Sequence, residues 1–218
     1  MAVQNYGYLK TIWDGLLSWI KNEYGVSGLM GNLYAESGCV PFRVQGDLTF
    51  PFNYSTNYTA RVNNGTVSEY AFVHNVPDSA HGKGYGLAQW TFYSRKQQLY
   101  NLYKNTPYSS IGGVDTGLAM LKLELDTGGS YASVGTVLKT ATTVRQASDY
   151  AFYNYEAPAD QSEAARQTRE NYANEIYNMY QSGGGQPDPP TPDPPPPPYP
   201  VDPTLIKPMS IIYYLRKM

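Results

Sequence analysis

A proline-rich segment late in the chain sets the strongest limit on what the sequence can fold into. Twelve of the 17 prolines lie between residues 187 and 208, directly after three consecutive glycines at 183–185. Glycine-rich sequence is flexible and proline-rich sequence favours extended polyproline II, so neither can contribute to a packed core. We therefore predict three regions: a globular domain (1–181), a Gly/Pro-rich linker (182–203), and a short tail (204–218) that starts a further module or docks elsewhere.

Composition and charge limit the classes of function. The chain has 218 residues, 41% hydrophobic and 16% charged, which suffices for one domain with a hydrophobic core. The formal net charge of −2 provides no basic excess, so we expect neither nucleic acid nor a membrane surface as a partner. The 22 tyrosines offer flat apolar faces with a polar edge, which suit carbohydrate clefts and also ordinary cores.

Neither a signal peptide nor a membrane span is expected. Residues 1–25 lack a basic segment followed by an uninterrupted apolar run and a small-residue cleavage site. No stretch approaches the roughly 18 consecutive apolar residues of a transmembrane helix. A target outside the cytoplasm would therefore require another route of delivery.

Apolar residues at helical spacing predict most of the secondary structure. Residues 8–24 form an amphipathic pattern that should end at Gly25, and a second helix should follow, with Ser27 as its N-cap and Gly38 as its stop. Further helices are predicted over 94–104, 114–126, 131–156 with a break or two, and 162–181.

One region is predicted to form β structure. Residues 58–72 show alternation on both sides of Asn63, Asn64 and Gly65, a hairpin signal in which glycine supplies the left-handed turn residue. The predicted fold class is therefore α+β and mostly α, with one small antiparallel β element and a proline-rich tail.

Glu36 occupies an unusual position in the second predicted helix. It lies in the last turn, where the negative end of the helix dipole does not stabilise a carboxylate. Burial against Leu33 and Tyr34 would also disfavour the charged form. Both effects favour a protonated carboxyl group, as a general acid requires.

Three stretches carry a resemblance to a known family: GLMGNLYAESGCVPF, GYGLAQWTFYSRKQQL and FYNYEAPADQSEAARQTRENYANEIY. Together they resemble the phage tail lysozyme family, within the lysozyme and soluble lytic transglycosylase superfamily, over residues 10–181. The resemblance implies a lysozyme-like domain that cleaves the glycan strand of peptidoglycan for a phage or prophage tail or endolysin. It implies Glu36 of the Glu-Ser pair as the general acid. We expect neither a cofactor nor a metal.

The second carboxylate of such a site is less well defined. Glycoside cleavage often uses one on the opposite face of the sugar. Asp47 is the first candidate and Asp78 the second, although Gly-Asp is also an ordinary turn sequence. The superfamily is divided on this point, because its transglycosylases use one glutamate and the substrate's N-acetyl group. Hydrolysis by an N-acetylmuramidase therefore stands beside lytic transglycosylase or glucosaminidase action.

Substrate contacts are expected from two further places. Gln89 and Tyr85 belong to the glycine-rich bend that lines the sugar cleft in the proteins resembled, and Tyr155 stands where the superfamily often has a cleft-wall tyrosine. For Glu156 we expect a structural hydrogen bond to the backbone. The expected partner is bacterial peptidoglycan, with other virion tail proteins or a C-terminal module as further candidates.

Three rival interpretations remain. Cys39 with His74 or His81 would make a cysteine peptidase or amidase, but Cys39 follows a helix C-terminus, where the dipole does not lower a thiol pKa. A metal site at His74, Asp78 and His81 is a further interpretation, although two histidines in a polar loop usually bind no metal. A non-catalytic wall-binding or structural tail module would fit the proline spacer equally well, but it gives no reason for Glu36.

Overall fold

A computed structural model describes residues 2–75, 84–105 and 108–181, and this part of the chain is mostly helical. In chain order the helices are α1 (Leu9–Ile20), α2 (Glu23–Ser37), α3 (Asn53–Asn63), α4 (Glu69–Val73), α5 (Tyr93–Asn105), α6 (Val114–Leu125), α7 (Ala132–Thr140), α8 (Val144–Ala151), a π-helical turn (Phe152–Glu156) and α9 (Glu163–Tyr180).

The predicted β hairpin is wrong, since the described residues contain no β sheet and only isolated bridges. Helices α3 and α4 take its place. The turn itself was correctly located, because Gly65 has a φ of 81° and Ser68 then caps α4 by accepting from the Ala71 N–H. Ser55, Thr59 and Val62 are the buried residues of α3, and their spacing is helical rather than alternating.

The boundary between α1 and α2 also differs from the prediction. Helix α1 ends early because Lys21 adopts a left-handed φ of 59°, and Asn22 caps α2 by accepting from the N–H groups of Tyr24 and Gly25. Gly25 and Ser27 therefore lie inside α2 and are buried. The later helices agree with the predicted ranges to within a few residues.

Helix α2 is the central element of the domain, and it packs chiefly against α8 and α9. It is buried continuously from Gly25 to Leu33. Glycines allow α2 to pack this closely against its neighbours. A Cβ at Gly28 would lie 2.4 Å from the Ala147 Cβ of α8, and one at Gly31 would lie 2.5 Å from the Arg169 carbonyl oxygen of α9. The backbones of these helices therefore approach as closely as glycine permits.

Helices α8 and α9 are held together by one buried cation. The Arg166 guanidinium bonds to Asp149 of α8 at 2.7 Å and to Glu170 of its own helix at 2.8 Å. Between the two helices the chain passes through the π-helical turn, which ends where Ala157 adopts a positive φ of 41°. This arrangement places Glu156 and Arg169 beside the C-terminal end of α2.

Gly31→Ala tests the close packing of α2. The added methyl group meets backbone atoms of α9, so we expect a loss of about 1–3 kcal/mol in the free energy of unfolding. Gly15→Ala in α1 is the matched control, because its Cβ would meet only the flexible end of Leu118, and alanine otherwise favours the helix. Urea denaturation measures both. Equal stabilities for the two variants would contradict the packing argument.

Candidate active site

A cleft of about 390 Å³ opens at the C-terminal end of α2. It is formed by the end of α2, the segment 43–48, the bend 84–90, the start of α5 and the π-helical turn. The lining residues are Glu36, Arg43, Val44, Gln45, Gly46, Leu48, Ala88, Gln89, Thr91, Phe92, Arg95 and Glu156. The cleft thus contains two carboxyl groups and two arginines.

The C-terminal turn of α2 is fixed by bonds on both sides of Glu36. The buried Ser37 hydroxyl donates to the Leu33 carbonyl at 3.0 Å and is 2.8 Å from the Leu87 carbonyl of the bend. Gly38 ends the helix with a φ of 67°, and its N–H donates to the Tyr34 carbonyl. Glu36 is therefore held between a rigid helix end and the bend.

The bend 84–90 is bonded to the segment 43–48 along its length. Gln45 N–H donates to the Gly84 carbonyl at 2.9 Å, and Gly86 N–H donates to the Arg43 carbonyl at 2.8 Å. The Gln89 side-chain amide donates to the same Arg43 carbonyl at 3.1 Å. Gln89 has a left-handed φ of 44° and lines the cleft together with Glu36, as its predicted role requires.

Glu36 is ion-paired. Its Oε1 accepts a hydrogen bond of 2.7 Å from Arg169 Nη2, and the Glu36 side chain is 22% exposed. The Arg169 guanidinium also lies over the Phe152 ring, 5.0 Å from its centroid. The sequence-based argument considered only burial and the helix dipole, and it did not include this ion pair. The sequence did not predict this pairing, because Arg169 lies 133 residues after Glu36 in the chain.

A second acidic group, Glu124, organises the wall behind the cleft. Its buried carboxylate accepts two bonds from Arg95, at 2.6 and 2.9 Å, one from Trp90 Nε1 at 3.0 Å, and one from the Tyr155 hydroxyl at 2.6 Å. Burial lowers the pKa of Arg95, but the bonds to Glu124 outweigh this and raise it. Arg95 therefore enters the cleft as a fixed cation whose charge is already balanced.

Glu156 corrects the sequence-based expectation. No hydrogen bond to it is found in the described part of the chain, and its Oε1 is buried without a partner. Burial raises the pKa of Glu156 well above its usual value, and the nearby charge of Glu36 raises it further. A carboxyl group with a raised pKa thus lies in the same cleft as the ion-paired Glu36. Its position in YNYEAP gave no sign of this burial.

The other predicted site residues are dispersed. Tyr85 is 1% exposed, with its hydroxyl bonded to Thr59, and Tyr155 is 2% exposed, so neither ring offers a face to a sugar. Their placement does not support the predicted substrate contacts, because both rings fill the core.

Asp47 Oδ2 accepts from the N–H and hydroxyl of Ser55, and Asp47 itself does not line the cleft. Asp78 lies outside the described residues.

Apolar side chains at the mouth of the cleft were missed from the sequence. Phe92 is 72% exposed and Leu48 is 80% exposed, and both line the cleft. Phe92 is the second residue after the glycine-rich bend 84–90. Exposure of a large aromatic beside a polar cleft is the property that sugar-binding surfaces use.

The cysteine and metal interpretations find no support in the described residues. Cys39 is fully buried, and burial raises the pKa of its thiol. No group of three metal-ligating side chains occurs in the part of the chain that the structure describes, and Asp78 and His81 lie outside it. None of the described helices is long and apolar enough to cross a membrane.

Glu124→Gln tests the wall behind the cleft. The neutral amide breaks the ion pair at the buried Glu124 position and leaves half-buried Arg95 without its counter-charge, so we expect a loss of about 3–5 kcal/mol in the free energy of unfolding. Glu175→Gln is the control, because Glu175 only accepts from the Val3 N–H and glutamine keeps such an oxygen. Chemical denaturation should show the control within about 1 kcal/mol of wild type. Similar losses in both variants would contradict the account.

Comparison with known proteins assigns the family. The family model described as phage tail lysozyme matches residues 8–180. No curated protein and no solved structure gives a significant match. The matched range spans all nine helices of the described residues, and it includes the glycine-rich bend and both carboxyl groups of the cleft. The chain therefore belongs to the phage tail lysozyme family, whose members are peptidoglycan-degrading enzymes of bacteriophages.

Proposed function

We propose that this protein cleaves the glycan strand of bacterial peptidoglycan as an N-acetylmuramidase of the lysozyme type, with Glu36 as the general acid. The observation that carries the proposal is the position of Glu36 on the rigid end of α2, facing a cleft of about 390 Å³ within the family-matched domain. Action as part of a virion tail or as a released endolysin fits the family. Tail proteins or a C-terminal module are the further partners we propose.

The chemistry required of Glu36 is transfer of one proton. The glycosidic oxygen leaves as an alcohol when Glu36 protonates it, and the positive charge that develops on the sugar ring needs a nearby negative group or nucleophile. The ion pair with Arg169 positions the Glu36 carboxyl group. Glu36 must carry a proton at the moment when it acts as the acid.

Substrate binding is proposed for Gln89 and Phe92. The Gln89 side chain is anchored by two backbone carbonyls, so its remaining oxygen is held at the cleft in a fixed direction. Phe92 provides an exposed ring at the mouth, on which a pyranose face can stack. The exposed Leu48 side chain adds apolar surface on the other side of the mouth.

Asp47 stays a prediction as the second carboxylate. It lies between two residues that line the cleft, Gly46 and Leu48, and Ser55 orients its carboxylate with two hydrogen bonds. Asp47→Asn keeps an oxygen that can accept from Ser55, so we expect the melting temperature to change little. A role in catalysis predicts a rate loss of about 100-fold or more. A near-normal rate would assign Asp47 to anchoring the start of α3 instead.

The alternatives differ in their products. A hydrolase leaves reducing ends, while a lytic transglycosylase leaves anhydro ends, and a glucosaminidase leaves a different sugar at the new end. Mass spectrometry of digested peptidoglycan separates all three. A non-catalytic wall-binding module would release no fragments at all.

Glu36→Gln is the decisive variant. Glutamine is nearly isosteric and can still accept from Arg169, but it has no proton to transfer, so we expect the rate of glycan cleavage to fall by about 10² to 10⁴. Release of soluble fragments from purified peptidoglycan measures the rate. The control is Glu163→Gln, which changes an exposed carboxylate outside the cleft. Wild-type turnover in Glu36→Gln would refute the proposed mechanism.

A further inference from the structure

Glu156 is a half-buried acid with no role in the proposed mechanism. It ends the π-helical turn and lines the cleft with Glu36. Its Oε1 has no hydrogen-bond partner in the described part of the chain. A buried polar atom without a partner costs free energy and therefore requires an explanation, and a catalytic role is one such explanation.

Charged and titratable groups face Glu156 from every element packed around it. They are Glu36 of α2, Arg95 of α5, Glu124 of α6 and Arg169 of α9, with Tyr155 preceding it in its own turn. Burial makes the largest contribution and raises the pKa of Glu156, Glu36 and Glu124 raise it further, and the two arginines lower it. The arginines do not prevail, because Arg95 is bonded to Glu124 and Arg169 to Glu36.

Glu36 and Glu156 line the same cleft but differ in their partners, because Glu36 is ion-paired with Arg169 and the Glu156 Oε1 is buried without a partner in the described residues. Burial raises the pKa of Glu156, so Glu156 keeps its proton to higher pH than an ordinary carboxyl group does. We propose that Glu156 is the proton reservoir of the cleft, which supplies the proton that Glu36 delivers to the glycosidic oxygen. This inference rests on the proposed function and adds a second titrating residue to it.

The proton transfer from Glu156 to Glu36 conserves atoms and charge. The Glu156 O–H bond breaks and an O–H bond forms on Glu36, directly or through one water molecule. Glu156 becomes a carboxylate near Arg95 and Arg169, while neutral Glu36 releases the charge of Arg169 from its pairing. Glu36 then protonates the departing oxygen as its bond to the anomeric carbon breaks. The water or substrate hydroxyl that attacks this carbon loses a proton, which returns to the carboxyl pair.

Two carboxyl groups that share a proton titrate as a pair, so the pH dependence of the rate tests the proposal. Glu156→Gln removes the reservoir and leaves Glu36 as the one carboxyl group among the described residues that line the cleft. We expect kcat on purified peptidoglycan to fall by about 10-fold to 100-fold and the alkaline limb of the pH–rate profile to move to lower pH, with KM nearly unchanged. Glu156→Asp keeps a carboxyl group and should restore part of the rate and the position of the limb. Glu163→Gln should change neither.

A second measurement shows that the variant is folded and reports the proton without any substrate. In wild type the folded state keeps a proton on Glu156 that the unfolded state loses above its ordinary pKa, so Glu156 destabilises the fold increasingly as the pH rises. Glu156→Gln should therefore melt at a higher temperature than wild type at about pH 7.5, and the difference should vanish near about pH 4.

The outcomes separate this inference from the proposed function. If wild type cleaves glycan strands and Glu36→Gln does not, while Glu156→Gln keeps the wild-type rate and pH profile, the reservoir is refuted and the function stands. A melting difference that does not depend on pH would also refute it. Wild type without glycan cleavage would overturn both proposals.

Discussion

Close contact between helix backbones at α2 is the constraint on which the rest of the domain depends. Gly25, Gly28 and Gly31 follow one another at near-helical spacing, and each faces a different neighbour: the Leu138 carbonyl, Ala147 of α8, and Arg169 with Ala173 of α9. Any Cβ at these positions would overlap atoms of the partner helix. The core is thus organised around a helix that is buried from Gly25 to Leu33, and its C-terminal turn lies at the cleft.

This packing also decides which charges meet. The same stretch of α9 that contacts Gly31 carries Arg169, so the close approach of the two helices places a guanidinium beside Glu36. The domain then contains two arrangements of buried charge. Around Glu124 every polar partner is satisfied, which makes a rigid wall. Around Glu36 and Glu156 an oxygen of Glu156 and the Nε of Arg169 are left unpaired, which makes a site that can change its protonation.

Much of the fold was predictable because the signals for it are local. Helical periodicity located the later helices, and Gly38 correctly marked the end of α2. The hairpin prediction was wrong for an equally local reason. An Asn-Asn-Gly turn suits a helix–helix connection as well as a hairpin, and only the burial of Ser55, Thr59 and Val62 on one face identifies α3 as a helix.

The sequence by itself determined the helical class, the family and the prominence of Glu36, because these follow from periodicity and from quoted stretches of contiguous residues. Only the tertiary structure decided the partners of the charges. Tyr85 and Tyr155 proved to be core residues, and Glu156, expected to make a backbone bond, proved to be an unpartnered acid in the cleft. The physical reason is that desolvation and Coulomb interaction depend on distance in space, and residues 36, 95, 156 and 169 become neighbours only when α2, α5 and α9 pack around the π-helical turn.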